Sequence, residues 1–137
     1  MPEPISIVGI DTENVGHPRN DGTRGSGLYA VPVKLSRVLS AREAELLVHF
    51  WDHPTSWSTM HRPGIASVSG STLFLDGTTM EEVRDIHVST VRGAVAATNA
   101  EYGAEVTAQE RARSAEDVRR AVHEAEVLKV AGEIRFD

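Results

Sequence analysis

The chain has 137 residues, with 20 acidic and 14 basic side chains and a formal net charge of −6. That length suits one domain with its own core and excludes two ordinary ones, while the absence of cysteine excludes disulfides, thiolate metal sites and a cysteine nucleophile. The acid excess argues against an extended nucleic-acid surface. No apolar run approaches the roughly 18 residues of a membrane span, and Met1-Pro2-Glu3-Pro4 lacks the basic-then-apolar order of a signal peptide, so a cytoplasmic location is expected.

Residues 5–10, Ile-Ser-Ile-Val-Gly-Ile, are apolar and β-branched and predict a buried strand. Residues 11–27 are polar with four glycines and predict a long loop. Residues 28–35 predict a second strand, in which Pro32 suggests an edge position or a bulge. Ser40-Ala41-Arg42-Glu43 is a capping box. It opens a helix whose apolar face is Ala44, Leu47, Phe50 and Trp51, ending near His53 because Pro54 cannot continue it. Residues 55–64 form an irregular loop. Residues 65–69 and 72–75, joined by Gly70-Ser71, predict a hairpin that ends at Asp76-Gly77.

Thr78 and Thr79 each precede a glutamate by three, giving two overlapping capping boxes for the next helix. Its inner stripe is Met80, Val83, His87, Val91, Ala94 and Thr98, widened by Val88 and Val95, and it is expected to end near Tyr102 or Glu110. Ser114-Ala115-Glu116-Asp117 predicts a further helix with Val118, Ala121, Val122, Ala125 and Leu128 on one face and a stop at Gly132. Residues 133–137 could add an edge strand. The order is that of an α+β fold: an antiparallel sheet of four to five strands with helices on one face and an extra C-terminal helix. From residue 28 onward it matches a ferredoxin-like split βαβ pattern. One α+β domain is expected over 1–137, with 103–137 as a helical extension.

Three clusters carry candidate chemistry. Asp11 and Glu13 follow the first strand directly, and two carboxylates there can share a divalent cation. The run Asp11-Thr12-Glu13-Asn14-Val15-Gly16 resembles the first motif of the DEDD-type 3′–5′ exonucleases. That resemblance covers six residues and implies that Asp11 and Glu13 bind catalytic metals; the family's two further aspartates have no assigned counterpart. His49 and His53 lie at i and i+4, a workable metal-ligand spacing that Asp52 or His61 could complete. His53 can equally cap the helix end. His87, on the apolar stripe near Glu82, Arg84 and Asp85, is expected to be a packed, hydrogen-bonded histidine.

Trp51, Trp57, Met60, His61 and Arg62 fall within 12 residues and include both tryptophans of the chain. Tryptophan and arginine are enriched in interface hot spots, so this segment predicts a recognition surface. The same tryptophans could instead plug one end of the core. With the C-terminal apolar stripe, it suggests a binding module with a protein partner or a second copy. Alanine, valine and glycine are abundant and lysine occurs only at Lys34 and Lys129, which suggests GC-rich bacterial coding. The competing expectation is a metal-dependent hydrolase of the phosphodiesterase or nuclease kind, using Asp11 and Glu13 with a histidine. No other cofactor is expected.

Overall fold

The computed structural model describes residues 3–137. They fall into two compact units, one running to Tyr102 and one covering Gly103–Asp137.

The first unit is built on a four-stranded antiparallel sheet. Its strands are β1 (Ile7–Ile10), β2 (Tyr29–Leu35), β3 (Ala66–Ser69) and β4 (Thr72–Thr78), in the spatial order β1-β2-β4-β3. Alternation decides which side chains meet the core. Val31 pairs with Leu75 and Val33 with Leu73, and these four are buried on one face with Leu35. Helix α1 (Ala41–Asp52) covers that face with Leu47 and Trp51, and the later helix adds Val83, Val91, Ala94 and Val95. Burying each large aliphatic side chain contributes about 1.5–3 kcal/mol.

Helix α1 starts as the capping box requires. The Glu43 backbone N–H donates to Ser40 Oγ, and the Ser40 N–H donates to Glu43 Oε1 at 3.0 Å. Glu43 is itself buried, and its carboxylate accepts from both terminal nitrogens of Arg37, one at 2.9 Å. These bonds from Arg37, above all, hold the Glu43 carboxyl below the usual carboxylate range.

Several expectations are corrected. Pro32 lies in a central strand, buried between β1 and β4. It fits because the nitrogen side of Pro32 faces β1 just where β1 ends. Its carbonyl accepts from the Asp11 N–H at 3.0 Å, and no ladder donor is lost on the β4 side. Asp76-Gly77 does not end the hairpin. The register shifts between Tyr29 and Ala30, Gly77 takes a φ of +132°, and β4 continues to Thr78. Of the two threonines, Thr79 is the cap: its Oγ accepts from the Glu82 N–H at 3.1 Å, while Thr78 is still in the strand. The Tyr29 hydroxyl takes a second free donor, the Met80 N–H, at 2.8 Å.

The helix begins as α2 (Met80–Glu82), passes through a π-helical turn (Val83–His87) and continues as α3 (Val88–Glu133). The turn is marked by the Val88 N–H donating to the Val83 carbonyl. His87, Val91, Ala94, Val95 and Thr98 are buried, whereas Val88 is 39% exposed instead of widening the stripe. Asn99 ties α3 to the start of the sheet by exchanging two 2.8 Å hydrogen bonds with the Ile5 backbone.

No break occurs at Tyr102, Glu110 or Ser114. Ser114 lies inside a continuous helix, because no proline interrupts 88–133 and its glycines are tolerated there. Residues 134–137 are irregular, so the sheet has four strands and no C-terminal fifth. In the second unit every residue from 108 to 137 is exposed.

Candidate functional site

Asp11 caps a 3-10 turn (Thr12–Asn14) at the exit of β1, and Glu13 lies within that turn. The Asp11 carboxylate accepts from Asn14 Nδ2 at 2.7 Å, which is ordinary turn chemistry. Glu13 is exposed. Among the described residues no group of three or more His, Asp or Glu side chains is placed to hold a metal ion. Asp11 and Glu13 therefore have no third such ligand there, and neither do His49 and His53.

His49 and His53 do share one face of α1. Their rings stack with centroids 4.6 Å apart, and both are exposed. His53 is the C-cap: its backbone N–H donates to the His49 carbonyl, and its Nδ1 lies 3.0 Å from the same oxygen. One of the four nitrogens of this pair is thus occupied in closing the helix.

The segment 51–62 divides into an inner and an outer part. Trp51 is fully buried, and its Nε1 donates to the Arg62 carbonyl at 3.1 Å. His61, expected on a recognition surface, is buried. Arg62 is half-buried and bonds the Glu82 carboxylate and, at 3.3 Å, the Gly77 carbonyl. Of the five residues expected on that surface, Trp57, 58% exposed, and Met60, 40% exposed, are the two that face solvent. The loop that carries them is pinned at its far end, where the Gly64 N–H donates to Asp52 Oδ1 at 2.8 Å.

The inner part meets the π-helical turn. Trp51 contacts the His61 ring at 4.6 Å and the His87 ring at 5.3 Å, centroid to centroid. The two histidine centroids are 6.4 Å apart, and Trp57 meets His61 edge-on at 4.9 Å. Both histidines are buried, and none of their four ring nitrogens has a hydrogen-bond partner. The expectation of a hydrogen-bonded His87 is therefore corrected. Thr98, on the same stripe, is equally buried but donates to the Ala94 carbonyl at 2.7 Å. The His87 ring makes no such bond. Burial pushes the His87 imidazole below its ordinary value; nearby Glu82 opposes this, and Arg62 and His61 reinforce it.

Sequence reasoning named His61 and His87 separately but missed that they meet. The apolar stripe marked His87 as inward-facing, and the two Trp residues marked the loop. The π turn that turns His87 toward Trp51 leaves no sequence signal of its own. No family model, no curated protein and no solved structure matches this chain.

Proposed function

We propose that the chain is a binding module of a bacterial assembly or regulatory system. In this reading it acts in the cytoplasm, self-associates through 103–137 and offers the Trp57–Met60 edge of its loop to a protein partner. The observation that carries it is the exposed apolar content of the second unit: Val118, Val122, Val127, Val130, Ile134 and Leu128, the last 75% exposed. Val118, Val122 and Leu128 follow one helical stripe, while Val127, Val130 and Ile134 line a second groove. Apolar surface of this extent on a helix marks an interaction site. The flanking charges are mixed in sign, as in the Arg119–Glu116 pair, which suits association between like helices. No helix among the described residues is long and apolar enough to cross a membrane.

The loop supports the second half of the proposal. Its exposed Trp57 and Met60 sit on a base held by Trp51, Arg62 and Asp52, so little ordering is left for binding to impose. We further read the first unit as a ferredoxin-like split βαβ arrangement. The support is the placement of β4 between β2 and β3, with β1 at the edge beside β2. The hydrolase alternative has no comparable support, because Asp11 and Glu13 have no third ligand among the described residues.

Native mass spectrometry of the purified chain tests the proposal. An oligomer is expected, reduced to monomer by Leu128→Glu with helix content retained by circular dichroism. Trp57→Ala should leave the oligomer intact and release any co-purified protein. A wild-type chain that stays monomeric over a wide concentration range would sink the self-association reading.

A further inference from the structure

An unsatisfied buried polar group costs about 1–3 kcal/mol, and such groups in folded proteins call for a specific explanation, such as a bound ion. Here two imidazoles stand together with all four nitrogens unpartnered. His61 is 9% exposed and His87 fully buried. From this geometry we propose that His61 and His87 form a two-imidazole site for a soft monovalent cation, Cu(I), walled by Trp51 and Trp57.

Spacing selects this chemistry. A metal about 2 Å from an imidazole nitrogen lies roughly 3 Å from that ring's centroid. Centroids 6.4 Å apart are therefore spaced for one ion held between them in a near-linear arrangement. Ions that require three or four protein ligands do not fit, because no cluster of three or more His, Asp or Glu is placed for a metal among the described residues, and the chain has no cysteine. Imidazole is a good copper ligand, and a monovalent d10 ion accepts two ligands.

The surroundings agree. Trp51 contacts both rings, and tryptophan gives the strongest cation–π attraction of the aromatic side chains. The Arg62 guanidinium is engaged by Glu82 and the Gly77 carbonyl, and the Glu82 carboxylate acts more strongly on His87 than Arg62 does. Trp57, exposed and edge-on to His61, stands on the solvent side of the pair.

Ag(I), a redox-inert probe of the same charge and coordination preference, tests the site in chloride-free buffer. One equivalent should move the side-chain nitrogen resonances of His61 and His87 in the full-length protein and quench tryptophan fluorescence. Anaerobic competition for Cu(I) against a chromophoric chelator then gives the affinity. His61→Asn and His87→Leu should each weaken it at least about 100-fold, more than the loss of an outer-shell partner costs. His49→Gln combined with His53→Gln should leave it unchanged. Resonance shifts at His49, His53 or the methionine methyls instead, or no binding at micromolar protein, would overturn the proposal. The resonance shifts and His61→Asn decide the matter even if His87→Leu does not fold.

Discussion

The two histidine pairs of this protein teach opposite lessons. His49 and His53 have the sequence spacing of a ligand pair, and they do stack, yet they are exposed and serve the end of α1. His61 and His87 have no suggestive spacing, and they meet in a buried aromatic cluster with every ring nitrogen unpartnered. Spacing along one helix puts groups side by side but does not remove them from water. Withdrawal from water gives a polar group a large energetic stake, and that depends on elements brought together from different parts of the chain.

The largest effect should come from removing the wall shared by the buried pair. Trp51→Ala is expected to destabilise the fold by about 3–5 kcal/mol, read by urea denaturation, because it deletes a fully buried indole and leaves the Arg62 carbonyl unpaired. A loss near 1 kcal/mol would mean that the cluster is not a unit.

Next in size is acid sensitivity. The folded-state value of His87 is depressed, so the unfolded chain binds more protons once pH drops below the ordinary value of 6.5. Stability should be full above that value and fall as pH is lowered through and below it. His87→Leu should remove this limb. A second fall, below the ordinary carboxyl value of 4.5, belongs to Glu43, whose folded-state value is lowered by Arg37, and it should survive in His87→Leu. Denaturation midpoints measured from pH 8 to pH 3.5 separate the two.

A smaller effect distinguishes an unpartnered imidazole from a bonded one. In metal-free protein at pH 8, His87→Leu should not lower stability and should raise it by about 1 kcal/mol, since no hydrogen bond is lost, the volume is similar and unpartnered polar nitrogens are removed. A loss of about 3 kcal/mol would show that the imidazole has a partner after all. The smallest effect is expected at the exposed pair: His53→Ala should cost about 0.5 kcal/mol through the helix end alone, with no change in the pH limb of His87.

Much of the fold is legible without coordinates. The capping boxes at Ser40 and Thr79, the stop before Pro54, the Gly70-Ser71 hairpin and the strand at 28–35 are local, and each element begins and turns where its own residues direct. What was misread involved competition between local and distant partners. Pro32 reads as an edge residue until the early end of β1 is known. Asp76-Gly77 reads as a stop until β2 lies alongside and absorbs Gly77 as an irregularity in the ladder. Ser114 reads as a cap, but nothing there competes for the backbone hydrogen bonds of a continuing helix.

The sequence by itself determined most element types, the α+β class and the inward placement of His87, because hydrophobic periodicity and caps act within a few residues. Tertiary structure alone decided that His61 leaves the surface, that a π turn presents His87 to Trp51, and that Trp57 and Met60 remain outside. Those outcomes depend on how a loop, a helix end and a π turn share one volume, and no local pattern encodes that shared volume.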